Sequence, residues 1–132
     1  MSGEKNLEKL VRSMSPKLNE GEYVFVTVKH FGEIKREDTI CEFKEAEGIT
    51  LVMDKTKADG LGLAYSFIAS WITLEVHSAL DAVGLTALFA QELTKHNISS
   101  NIIAGFYHDH IFVDKNDAEQ AVKALTALSK SY

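Results

Sequence analysis

From Ser70 onward the hydrophobic period switches repeatedly between two and three-to-four residues, and the order of the switches leaves few folds open. "SWITLEV" (70–76) alternates: Ile72, Leu74 and Val76 point one way, Trp71, Thr73 and Glu75 the other, as in a strand with one buried face. "LDAVGLTALFAQELTKHN" then carries Val83, Leu85, Leu88, Phe89 and Leu93 at helical spacing. Asp81 is set to cap its start and Asn97 to end it. "ISSNIIAG" (98–105) reads as a strand ending in a turn, and "HIFVD" as the next strand. "NDAEQAVKALTAL" closes the run as a helix with Ala118, Ala121, Val122, Leu125 and Leu128 on one face. Asn116 and Glu119 have the spacing of a capping box.

The order β-α-β-β-α begins a split βαβ, or ferredoxin-like, arrangement: an α+β class in which an antiparallel sheet carries its helices on one face. No strand follows the second helix. A strand from the N-terminal half must therefore fill that edge, and "EYVFVTV" (22–28) and "ITLVM" (49–53) are the available donors. Leu7, Leu10, Val11 and Met14 predict an amphipathic helix, stopped by Ser15-Pro16 because the residue before proline avoids helical backbone. "ICEFKE" predicts a short edge strand, and "KHFGEIKREDT" an exposed loop. "DKTKADGLGLAYS" predicts a helical turn and an irregular link. It is the expected seam between an N-terminal half, about 1–62, and a core, about 63–132, of one domain spanning 1–132.

Charge narrows the functional classes. With 14 basic against 19 acidic residues and a net charge of -5, the chain lacks the cationic surface that phosphate backbones or anionic lipids require. Cys41 is the single cysteine, so no internal disulfide forms, and a lone strand thiol is chiefly a small hydrophobe. "MSGEKNLEKL" lacks the apolar centre of a signal peptide, and no apolar run approaches the ~20 residues of a membrane span. A cytoplasmic location without membrane contact is expected.

The polar cluster "HDH" is the strongest chemical signal. On a strand His108 and His110 share a face with Phe112, while Asp109 shares the other with Ile111 and Val113. A metal would need a third ligand such as His77 or Glu75, and no CxxC or HExxH spacing supports one; neither metal nor cofactor is expected. One histidine is expected to cap the turn and the other to lie at a subunit contact. Asp109 faces the core and needs partners there, either backbone amides or a ligand. Asn101 is unusual on a strand: a bulge, or a hydrogen bond across a dimer or to a ligand, accounts for it equally. Phe106, Tyr107 and Trp71 could line a pocket or simply pack. Ser78 and His77 are strand neighbours facing opposite ways, and no nucleophile elbow, phosphate-cradling loop or dinucleotide fingerprint is present. An enzyme is not expected.

The segment "WITLEVHSALDAVGLTALFAQELTKHNISSNIIAGFYHDHIFV" resembles an ACT domain through Asp81, Val83, Gly84, Leu85, Leu93, "KHNIS" and "NIIAG". The chain as a whole, over about residues 5–130, is similar to small stand-alone bacterial ACT proteins, in which "EYVF", "GITLVM", "VHSALDAVGLTA" and "YHDHIFV" recur in that order. More distantly it resembles the ACT modules of the eukaryotic cytosolic arginine sensor. The resemblance implies a ferredoxin-like ACT fold, with the N-terminal half adding a helix and extra strands. It also implies pairing with a second copy and an amino-acid ligand near the first strand-to-helix turn, here "HSALDAVG". Gly84 would let a ligand approach the backbone, and helix-start amides favour a carboxylate. Asp109 matches an aspartate that serves the ligand in the sensor, although histidines flank it here.

A non-catalytic, regulatory, small-molecule-binding homodimer is therefore expected, with Ser78, Asp81, Val83, Gly84, Asn101 and Asp109 as candidate ligand-binding residues. The alternative is a structural or protein-interaction module without a ligand. A histidine-based metal site or hydrolase ranks below both.

Overall fold

The computed structural model describes residue 3 and residues 6–132. In chain order the elements are α1 (Leu7–Ser13), β1 (Ser15–Leu18), β2 (Tyr23–Val28), β3 (Thr39–Lys44), β4 (Ile49–Asp54), α2 (Lys55–Gly60), β5 (Ile68–Glu75), α3 (Leu85–Lys95), β6 (Asn101–Ala104), β7 (Asp109–Asp114) and α4 (Ala118–Lys130). They divide into a discontinuous unit, Met1–Asn19 with Ser70–Tyr132, and a continuous one, Glu20–Ala69. The expected seam near residue 62 falls in the link between α2 and β5, and α1 with β1 belongs with the C-terminal elements rather than with the N-terminal half.

In the discontinuous unit the antiparallel strands run β1-β5-β7-β6, the ferredoxin-like order expected from the β-α-β-β-α run. The edge strand is β1, paired from Ser15↔Glu75 to Leu18↔Ile72. Neither "EYVFVTV" nor "ITLVM" fills that place; they form β2 and β4 and pair with each other in the continuous unit. "SPKL" has no alternation to betray it, and Pro16 is tolerated because an edge strand leaves half of its amides unpaired. One face of this sheet presents Ile72, Leu74, Ile111 and Val113 to α1, α3 and α4, where Leu10, Val11, Phe89, Leu93 and Leu125 are fully buried. Each such side chain stabilises the fold by about 1.5–3 kcal/mol. Ser129, buried on α4, reaches the end of α1, where its Oγ lies 2.7 Å from the Val11 carbonyl and 3.1 Å from that of Met14.

The helix ends correct two expectations and meet a third. Asp81 does not cap α3, which starts later, at Gly84 with φ of 97°, and Val83 lies outside the helix, exposed. The glycine supplies a turn that a side chain at 81 was expected to supply. The end is as expected: Asn97 takes the left-handed conformation (φ 58°), with Ile98 N donating to Leu93 O and Asn97 N to Thr94 O. At α4 the Asn116–Glu119 box does not form. Asp114 instead accepts from Asn116 N at 2.8 Å and turns the chain through a short 3-10 segment, Lys115–Asp117.

The continuous unit repeats the strand order as β3-β4-β2, with Ile68 and Ala69 of β5 pairing Val24 and Tyr23 at the other edge of β2. β3 is an edge strand, as expected. Where the other unit has a first crossover helix, this one has a loop from Lys29 to Lys35 and a 3-10 turn at Arg36–Asp38. Ile34 anchors the loop in a core of Val24, Val26, Leu51, Met53 and Ala58. α2 follows, capped by Asp54, which accepts from Thr56 N at 2.8 Å. Among the described residues no helix is long and apolar enough to cross a membrane.

Candidate functional site

Strand alternation in β7 sends Asp109 to the helix-covered face with Ile111 and Val113. Only 7% of Asp109 is exposed, but its carboxylate is not sealed off without a partner: among the described residues His108 Nδ1 is the buried side-chain polar atom that lacks one. Burial raises its carboxyl pKa above the ordinary value, opposed by the neighbouring His110 and His108. The side chain opens on a recess of about 60 Å³ walled by Ser78, Ala82, Leu85, Thr86 and Ala104. The first turn of α3 forms one side of it. That turn has no side-chain cap, so its leading amides are free to receive an acceptor. A largely buried carboxylate thus shares this recess with an uncapped helix start, and no Lys or Arg among the described residues lines it.

A second recess, of about 250 Å³, shares Ser78, Ala79 and Leu80 as a wall and adds Gly3, His77, Asp81 and Phe106. Gly3 packs backbone to backbone there: a Cβ at this position would stand 2.5 Å from the Ser78 carbonyl carbon. The His77 ring lies 5.6 Å from Tyr107 and 6.2 Å from Phe106, and the Phe106 and Tyr107 rings meet edge to face at 5.1 Å. Leu80, Val83, Phe106 and Tyr107 are all exposed, an apolar patch on the 80–83 and 106–107 loops.

The opposite face of the same sheet holds His110. Trp71 Nε1 donates to His110 Nδ1 at 3.0 Å, and Thr73 Oγ1 lies 3.4 Å from the same nitrogen. Asn19 Nδ2 lies within hydrogen-bond distance of both Thr73 Oγ1 (3.0 Å) and the Trp71 carbonyl (3.1 Å), and Trp71 stacks on Phe112 at 6.3 Å. An indole N–H can only donate, so His110 is the neutral acceptor, and burial lowers its pKa. The expectation of a histidine cap at the turn is met by backbone instead: the His108 carbonyl accepts from Gly105 N at 2.9 Å, while its ring Nδ1 is buried without a partner. Among the described residues no group of three or more His, Cys, Asp or Glu could hold a metal ion. Cys41 is half-buried, and burial followed by the nearby Glu42 pushes its thiol pKa up.

Of the candidate residues, Ser78 lines both recesses, Asp81 the larger and Asp109 the smaller, while Gly84 starts the helix beside them. Two are not brought there. Val83 points to solvent, and Asn101 is exposed on β6, paired with Phe112 and lining neither recess. Sequence reading missed Leu80, Thr86 and Ala104. Small or aliphatic residues at loop and strand ends carry no chemical signal of their own.

Family models for the ACT domain match residues 2–70 and residues 66–127. A solved protein of unknown function from Vibrio cholerae, described as a possible transport protein, is 51% identical over 95% of this chain and 97% of its own, with a TM-score of 0.84. A protein from Agrobacterium tumefaciens superimposes with a TM-score of 0.70 at 15% identity, over 88% of this chain and 89% of its own. The aspartate kinase of Clostridium acetobutylicum, an allosteric enzyme, gives a TM-score of 0.68 at 13% identity, over 87% of this chain and 34% of the kinase. These last two are likenesses of fold. None of the curated proteins matches the sequence.

Proposed function

This chain belongs to the ACT-domain family, and from that premise we propose that it is a non-catalytic regulatory protein whose ligand is an amino acid held at the β5–α3 turn. The observation that carries this reading is Asp109, a largely buried carboxylate that opens on the same recess as the uncapped start of α3. Taking most of a carboxylate out of water costs stability, and a ligand ammonium would offset that cost. The amides of the first turn of α3 are suited to the carboxylate of the same ligand. Ser78 and Asp81 complete the wall, and Gly84 lets the backbone turn close to it. The working unit is a homodimer, for which the exposed Leu80, Val83, Phe106 and Tyr107 supply an apolar contact surface.

A thermal-shift panel of the common amino acids tests the reading, because a ligand specific for the folded state adds RT ln(1 + [L]/Kd) of stability. At least one amino acid should raise the midpoint of the wild-type protein, and Asp109→Asn should abolish that rise. No response to any of them would sink the proposal. The exposed patch also favours a second reading, an interaction module without a ligand. Loss of self-association in Phe106→Asp, measured by light scattering and accompanied by no amino-acid effect, would select it.

A further inference from the structure

Building on the amino-acid site proposed above, we infer that its ligand is one of the smallest α-amino acids, glycine or alanine, and that Ala104 and Leu80 set the size limit. The inference starts from the room beside Asp109. The recess onto which that carboxylate opens has a volume of about 60 Å³. An apolar cavity of about 150 Å³ takes one benzene ring, so a space of this size takes about two or three heavy atoms. The ammonium nitrogen and the α-carbon of a ligand fill most of it, with the ligand carboxylate at the rim on the leading amides of α3. What is left beside the α-carbon takes a hydrogen or a methyl group.

The walls that fix this limit do not yield. Ala104 stands directly opposite Asp109 in the β6–β7 ladder, so the two side chains are nearest cross-strand neighbours on the helix-covered face. The space beside the carboxylate exists because the residue at 104 stops at Cβ. Ala82 adds a second methyl wall from the loop before α3. An alanine has no side-chain torsion that would carry its Cβ out of a ligand's way, and Leu85 is held in the core. Leu80 differs from these: it lines the recess with 70% of its surface exposed. With Ser78 and Ala79 it forms the wall shared with the larger recess, so truncating it opens the smaller space on that side.

Isothermal titration of the full chain with single amino acids tests this. Glycine or alanine should bind about tenfold or more tightly than leucine and phenylalanine, because overfilling a packed space is unfavourable. Ala104→Val sits at an exposed strand position, where a β-branched residue is well tolerated, and should weaken alanine binding about tenfold. Leu80→Ala removes an exposed side chain and should narrow the gap between leucine and alanine about tenfold. Circular dichroism of the unliganded variants verifies that both fold. Equal binding across side chains, or tighter binding of a larger amino acid, overturns the inference while leaving an amino-acid site in place. An unchanged titration in either variant takes that residue out of the size limit and also overturns it. Binding by no amino acid removes both this inference and the reading beneath it.

Discussion

The Trp71 indole N–H points at His110 Nδ1 from 3.0 Å, so the folded protein keeps that nitrogen unprotonated. Burial lowers the imidazole pKa below its ordinary 6.5, which means that the unfolded chain binds the proton more readily. The His110 contribution to stability is therefore complete above pH 6.5 and declines as pH falls through the window below it. Trp71 is the single tryptophan and reports directly. Urea unfolding followed by its fluorescence should show stability falling from pH 7 towards 5, and His110→Gln should flatten that slope. His110→Leu should cost about 1–3 kcal/mol at pH 7 by leaving the indole N–H without an acceptor.

Asp109 has the opposite sign. Its carboxyl pKa is raised by burial, so the folded state holds the proton more tightly than the unfolded chain does. Its contribution is favourable at low pH and is lost as pH rises above 3.8 and through the folded value. Asp109→Asn, which keeps the shape without the charge, should unfold a few degrees higher than wild type at pH 7. The same variant should lose its amino-acid response. A calorimetric scan with and without ligand separates the two effects. A drop in midpoint would mean that the carboxylate is structurally required.

Gly84 starts α3 at φ of 97°, where a side chain is strained whatever the space around it. The space itself is ordinary, since a Cβ there would meet only Leu7 Cδ2 at 3.5 Å. Gly84→Ala should thus cost about 1–2 kcal/mol, nearly all of it from the backbone. Chemical denaturation measures it, and a neutral result would show that the turn can relax.

Ser129 ties α4 to the end of α1 through the Val11 carbonyl at 2.7 Å. Ser129→Ala removes the donor that Val11 and Met14 share and should cost about 1–3 kcal/mol. Ser129→Cys, a weak donor of similar size, should recover part of the loss. Equilibrium unfolding of the pair against wild type reads both.

The C-terminal half was legible because periodicity governs it: Ile72, Leu74, Phe89, Ile111 and Leu125 fell on the faces that the structure buries. The edge strand was not. "SPKL" contributes backbone pairing rather than an apolar face, and backbone pairing leaves no mark on side-chain patterns. Caps were misread for a related reason. Asp81 and Asn116 have suitable side chains, but Gly84 and Asp114 hold the backbone at the turns. Asp109 was singled out because a carboxylate among core-facing Ile111 and Val113 contradicts its strand pattern, and such contradictions concentrate at functional sites. The walls of the recess, such as Ala104 and Thr86, contradict nothing and stayed silent.

The pairing of Ser15–Leu18 with Ile72–Glu75, and the reach of Ser129 back to Val11 across 118 positions, set a timetable for synthesis. On the ribosome the continuous unit has all of its strands once Ala69 has emerged, whereas α1 and β1, made earlier, must wait for partners not yet translated. Closing so long a loop is slow, so the continuous unit should form first and the discontinuous one last. Hydrogen exchange pulsed during refolding would register protection in Val24–Val28 before Ser15–Leu18; the reverse order would refute that timetable.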